Sequence, residues 1–320
     1  MDIVVSHGSA WHFWRSFQGD IRRLTRVSIA EAMVKPAPLT ASLRAELASC
    51  GFEPSREQPL DLLFHRDTTR SQSSRIRPHR TSRSLPPGSL VRLADEVLIA
   101  SPELTFAQLS DQLPVGELAL VGCELCGTYR LHGGDGCRLP MPAERPPLTS
   151  QTAIVALLRD MGYQRRSIAQ QAARAVLNGA ASPMEAKVAL LLSLPTKQGG
   201  YGLPRPAMNA EIRLGPHGYR FYPHSPCRMD LYWDSASLDV EYDGVDAHPP
   251  EQHARDVART AALMAEGVEV LTLTKAQEYH PQAFREVAEL VADRIGHPLH
   301  LGEGFREAHF RLRRDLGFAQ

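Results

Sequence analysis

The chain has 320 residues, 43% of them hydrophobic, and its 36 Lys and Arg balance 36 Asp and Glu. That length allows two domains with their own cores, and no apolar run approaches the roughly 20 residues of a membrane-spanning helix, so no membrane role is expected. Five cysteines are too few and too odd a number for a disulfide framework. The amino-terminal stretch lacks the long apolar segment and small-residue cleavage site of a secretory signal, so cytoplasmic residence is the expectation.

From the amino end, residues 6–17 read as a helix capped by Ser6, and residues 60–64, 90–93 and 96–100 as short strands. Between His65 and Arg92 the only acid is Asp67, against Arg66, Arg70, Arg75, Arg77, Arg80 and Arg83, in a Ser/Thr/Pro-rich setting. Such a segment can track phosphates, each contact releasing counterions. Arg70, Arg75, Arg77, Arg80 and Arg83 are therefore candidate nucleic-acid contacts; a solvated loop explains the run equally well. Ser101-Pro102-Glu103 starts another helix carrying Phe106 and Leu109, followed by residues 115–125. Cys123 and Cys126 have the spacing of half a zinc site, with His132 and Cys137 beyond. No second pair follows, so helix thiols without zinc are expected. Residues 149–181 form a helical bridge with Ile154, Leu157, Leu158, Ile168, Ala172, Val176 and Leu177 as its buried face. The organisation is then an α+β domain over 1–148, the bridge over 149–181, and a second domain over 182–320.

In that second domain Ser182 caps a helix with Pro183 at its first position and Glu185 in its first turn. A Gly/Pro-rich connector, 199–206, leads into strand candidates at 208–214 and 219–222 around a turn at 215–218. The segment 229–248 carries the chemistry. Alternation puts Asp230 and Tyr232 opposite Met229, Leu231 and Trp233, and on the next strand sets Asp239, Glu241 and Asp243 opposite Leu238, Val240 and Tyr242. Unpaired, these acids repel one another. A hard cation such as Mg²⁺ relieves that repulsion, with oxygen ligands at about 2.0–2.1 Å and several waters. An exposed edge strand defended by charge is the plainer alternative. Gly244 breaks the strand and His248 follows. Then come a helical pattern over 251–266 and a buried strand over 268–274, a right-handed crossover that makes the sheet mixed.

This order of elements, with Glu185 on the helix, Asp230 on a middle strand and Glu241-Tyr242-Asp243 on the next, resembles the restriction-endonuclease-like PD-(D/E)xK superfamily. More narrowly, SPMEAKV, CRMDLYW, VEYDG with His248 and EGVEVLTLT are similar to the uncharacterised bacterial family grouped with very-short-patch-repair endonucleases. The similarity covers residues 182–295. It implies an α/β, restriction-endonuclease-like mixed sheet flanked by helices, with Asp230 and Glu241 holding Mg²⁺ (or Mn²⁺) and Glu185 supporting them. The superfamily lysine falls on Asp243, so the motif reads E-Y-D. Repair endonucleases of the group use histidine instead, which makes His248 the candidate base, with Lys187 second.

The first third, through SHGSAWHFWR, VLIASPELTFAQLS and GCELCGTYRL, looks like the region found in antitoxin proteins of abortive-infection systems and their nuclease-fused relatives. The function implied is metal-dependent hydrolysis of nucleic acid, DNA favoured, in phage defence or repair, with a toxin or defence-system partner. The competing reading is a regulatory or binding protein that keeps the fold without cleavage.

Overall fold

The computed structural model describes residues 2–28, 40–65, 73–81, 85–132, 141–243 and 250–318, which fall into two compact units, Met1–Val176 and Leu177–Gln320. Both mix helices with sheets, so the chain is α/β in class. Among the described residues no helix is long and apolar enough to cross a membrane.

The first unit opens with β1 (Ile3–Val5) and α1 (His7–Ser16), followed by β2 (Arg26–Val27), α2 (Ala41–Ser49), β3 (Leu60–His65) and β4 (Ile76–Thr81). β5 (Leu90–Arg92), β6 (Val97–Ala100), α3 (Pro102–Leu109), α4 (Val115–Leu125) and the hairpin β7 (Tyr129–His132) and β8 (Met141–Glu144) come next. α5 (Gln151–Asp160) and α6 (Ile168–Ala175) complete it. Its sheet runs β2-β5-β6-β1-β3-β4, with β1–β6 and β3–β4 parallel. β4 lies in the arginine-rich segment, which the sequence allows to be read as loop. It is an edge strand, where Pro78 is tolerated, and the ladder to β3 makes it a strand.

The Ser101 hydroxyl accepts the Leu104 N–H at 3.2 Å and starts α3, every residue of which is buried. The segment expected to bridge the domains instead packs inside this unit, α5 on α3 and α6 on α4. Ile154, Leu158, Ala172 and Val176 are buried as read, whereas Ile168, expected inside, is 43% exposed at the start of α6. α4 and α6 approach closely because Gly122 has no side chain: a Cβ there would stand 2.3 Å from Val176 Cγ2.

The second unit consists of α7 (Pro183–Ser193), β9 (Ala207–Ile212), α8 (Pro216–Phe221), β10 (Cys227–Trp233) and β11 (Leu238–Asp243), then α9 (Pro250–Ala265), β12 (Glu269–Thr274), α10 (Lys275–Tyr279), α11 (Pro281–Arg294) and α12 (Phe305–Asp315). Its sheet runs β12-β11-β10-β9. β9, β10 and β11 form an antiparallel meander, and β12 returns parallel to β11 after α9. Residues 219–222, read as a strand, belong mostly to α8. Its amino end is closed by Glu266 Oε1, which accepts the N–H groups of Gly215 at 2.8 Å and Gly218 at 3.0 Å. Leu231, Leu238 and Val240 are buried at the sheet centre, and Leu263 and Val268 pack with Cys227 and Met229.

Candidate active site

The middle of β10 is where the ladder to β9 is disturbed. Met229 pairs with Ala210 and Leu231 with Met208, while between them Asn209 adopts φ 50°, a left-handed conformation that asparagine tolerates better than most residues. On the other side Leu231 pairs with Val240, and extending that register by one residue sets Asp230 level with Glu241. Asp230 Oδ2 accepts the Tyr242 N–H at 3.1 Å. Asp239, two residues before Glu241 and so on the same face of β11, is fully buried.

Two helices complete the cluster. The Ser182 hydroxyl caps α7 through the Glu185 N–H at 3.2 Å, which fixes Glu185 in the first turn. Glu185 Oε2 accepts from Asn209 Nδ2 at 2.6 Å and from the Ala181 N–H at 2.9 Å. From α9, Arg259 ion-pairs with Glu241 through Nη2 and donates through Nη1 to the Arg228 carbonyl at 2.8 Å.

The electrostatics follow from this crowding. Burial, then the charges of Glu185 and Glu241, push Asp230 up to about 7, against the opposing pull of the Tyr242 N–H and Arg259. Among the described residues, no donor reaches either oxygen of Asp239 or Glu241 Oε1. Asp239 and Glu241 can bond each other only when one carries a proton, and burial together with that acid–acid contact drives Asp239 strongly upward. Among the described residues one guanidinium therefore faces several carboxylates, and the remaining oxygens need a proton or a cation.

The other candidate residues are placed as follows. Asp243 is the last residue of β11, partly buried. His248 and Gly244 lie outside the described residues, as do Arg70, Arg83 and Cys137. Arg75, Arg77 and Arg80 are in the first unit on or beside β4, and Arg77 Nη1 is committed to Asp61 Oδ1 at 3.2 Å. Lys187 is not at the carboxylate cluster: two residues beyond Glu185, it turns to the other side of α7, sits 5.2 Å over the Phe318 ring, and feels the charge of Glu278. Cys123 and Cys126 are buried in the last turn and cap of α4. Sequence reading missed Arg259 and Asn209. Arg259 carries a signal, for it lies one helical turn before the buried Leu263 and so on the inward face of α9.

Among the described residues no three His, Cys, Asp or Glu side chains are grouped as a ready-made metal cage. What is present is the pair Asp230 and Glu241 with an unpartnered Glu241 oxygen. A magnesium ion commonly takes one or two carboxylates and completes its shell with water and substrate phosphate, so this pair fits such an ion once Arg259 moves aside.

The first unit holds a contrasting polar cluster. Asp61, 4% exposed, accepts from His79 Nε2 at 2.8 Å, Arg77 Nη1 at 3.2 Å, and the Ser9 hydroxyl and N–H at 3.1 and 3.0 Å. Burial alone would raise Asp61, but the bonds from His79 and Ser9 outweigh it and hold the carboxyl below its ordinary value. His7, at φ 47° at the start of α1, stacks on His79 with centroids 3.6 Å apart. Burial, then the charge of His79, lower its imidazole to about 4.

The described fold is thus a mixed α/β one in each unit, with the acidic cluster in the second. No protein-family model matches the chain, and no curated protein or solved structure matches it either.

Proposed function

We propose that the second unit is a metal-dependent nuclease of the restriction-endonuclease-like PD-(D/E)xK class, acting on phosphodiester bonds of nucleic acid, with DNA favoured. The observation that carries this reading is the set of carboxylates formed by the buried Asp239 and the half-buried Asp230 and Glu241, whose oxygens outnumber the donors that reach them among the described residues. The element order from α7 through the β9–β10–β11 meander and α9 to β12 supports it, because that order brings Glu185 from the helix beside Asp230 and Glu241.

Asp230 and Glu241 would hold Mg²⁺, with Mn²⁺ as a substitute. Such an ion, when bound, polarises a scissile phosphate and lowers the pKa of a bound water. The chain's own groups do the rest. Glu185, anchored by Asn209 and the Ala181 N–H, fixes the direction from which Asp230 is approached. Arg259, released from Glu241, is a cation within reach of a phosphate whose negative charge is growing. His248 is our assignment for proton transfer or leaving-group stabilisation. A place in phage defence or repair, with a toxin or defence-system partner, rests on the resemblance alone.

The test is a cleavage assay on plasmid, single-stranded DNA and RNA with Mg²⁺, Mn²⁺ or EDTA, comparing wild type with Asp230→Ala. Metal-dependent cleavage lost in the variant supports the reading. A second reading, a module that binds nucleic acid without cutting it, draws on the Arg259–Glu241 ion pair, which already neutralises part of the cluster. Binding with no cleavage under any of these metals would favour it.

A further inference from the structure

Between β9 and β10 the chain inserts residues 213–226, which contain Arg213, Arg220, His217, His224, Tyr219, Phe221 and Tyr222 and not one Asp or Glu, with Arg228 following in β10. In a chain of zero net charge this is a local excess of cations interleaved with rings. The side chains are also presented outward. Tyr219 is 52% and Phe221 55% exposed on α8, and Arg213, His217, Arg220 and His224 are exposed as well. Two bare aromatic rings on one short helix offer faces on which a planar group can stack.

The nearby acids are already engaged. Glu266 is spent on the Gly215 and Gly218 N–H groups, and Glu211 faces Arg228 at 3.7 Å. Arg213 and Arg220 make no ion pair among the described residues. α8 also packs against α9, the helix that supplies Arg259. The segment runs directly into β10, so Cys227 is three residues from Asp230, about 10 Å of extended strand.

We propose that this segment is a platform for unpaired nucleic acid, on which Tyr219 and Phe221 stack against bases while Arg213 and Arg220 follow the phosphates. It rests on the nuclease reading and deepens it by naming a single strand, or a locally unpaired stretch, as what is led toward Asp230. Charge complementarity selects a polyanion, and the exposed rings select one whose base faces are accessible; in a duplex those faces are stacked inside. An acidic protein partner would satisfy the arginines but gives the rings no comparable planar surface.

Fluorescence anisotropy in EDTA, with a labelled oligothymidine and a duplex of equal length, tests this on the full chain without any cleavage. The single strand is expected to bind more tightly than the duplex. Tyr219→Ala and Phe221→Ala are each expected to weaken single-strand binding by about 5- to 150-fold, the range of one lost base–aromatic stack. Tyr219→Trp is expected to retain it. Arg213→Ala with Arg220→Ala is expected to shrink the salt slope by about 1.4, two phosphate contacts on a single strand. Unchanged affinity in the alanine variants, equal weakening for duplex, or no binding of either probe overturns the platform. Ring-dependent binding by a wild type that never cleaves therefore supports the platform and removes the nuclease, whereas cleavage with ring-independent binding does the reverse.

Discussion

Asp61 in the first unit and Asp239 in the second are both buried aspartates on β-strands, 4% and 0% exposed. Among the described residues, four donor contacts reach Asp61, from His79, Arg77 and Ser9, and none reaches Asp239. Burial pushes both upward, so the difference in their acidity comes from the neighbours: donors bring Asp61 below its ordinary value, while the acids Glu241 and Asp230 add to burial and carry Asp239 far above it. A carboxylate supplied with donors holds a structure together. One left without them, beside two more of its kind, is poised for an incoming proton or cation, which is why the second cluster and not the first carries the functional assignment.

The sharpest way to break this contrast is catalytic. Asp230→Ala is expected to reduce Mg²⁺-dependent cleavage on the order of 10³-fold or more, the several kcal/mol a Lewis-acid ion supplies, measured as single-turnover cutting of a labelled substrate. EDTA is expected to match that loss in wild type. A variant that cuts within tenfold of wild type would dissolve the distinction between the clusters.

Stability tests the same contrast from the other side. Asp61→Asn breaks a buried charge-assisted network and is expected to destabilise the first unit by about 2–3 kcal/mol. Asp239→Asn removes a buried carboxylate that has no donor, and is expected to leave the second unit's melting temperature unchanged or raised. Hydrogen exchange resolved by peptide assigns each change to its unit. Equal losses in both variants would contradict the donor argument.

The two units are also expected to answer pH in opposite directions. Asp230 and the fully buried Glu278 both stand at about 7 in the fold, above their unfolded values, chiefly through burial. The folded second unit therefore binds protons that the unfolded chain has released, and its stability falls as pH rises from about 4 to about 7, by on the order of 1 kcal/mol per group per pH unit at most. His7, at about 4, is neutral in the fold at a pH where the unfolded chain is already protonated, so the first unit loses stability as pH falls from about 6.5 toward 4. Unfolding followed by peptide-resolved exchange at pH 5.5 and pH 8 is the measurement. Mg²⁺ is expected to stabilise the second unit more at pH 8 than at pH 5.5, since protons compete with it for Asp230.

The smallest effect concerns helix starts. Ser182 caps α7 through a side-chain bond and Ser6 makes no such bond to α1. Ser182→Ala is expected to cost about 1 kcal/mol by thermal unfolding. It is also expected to loosen Glu185, visible as faster exchange at the Ala181 N–H that Glu185 holds.

Much of this was legible in local sequence. Ser101-Pro102 and Ser182-Pro183 mark helix starts because a hydroxyl and a proline each satisfy a need of the first turn. The alternation in Met229–Trp233 and Leu238–Tyr242 marks strands because side chains on a pleat change face at every residue, and it set Asp230, Asp239 and Glu241 together before any fold was known. Tertiary structure alone decided the rest, in each case because the deciding group lies far along the chain. α8 is a helix and not a strand because Glu266, some fifty residues later, accepts its amino-terminal N–H groups. β4 is a strand because β3 offers it a parallel ladder, and α5 and α6 join the first unit because α3 and α4 present faces for them. Arg259 became part of the site only when α9 folded back over Glu241, and Asp239 departed from ordinary acidity only when burial removed water and the pairing of β10 with β11 brought Glu241 and Asp230 around it. Local pattern reports which side chains share a face; charge state depends on every group that closes around them.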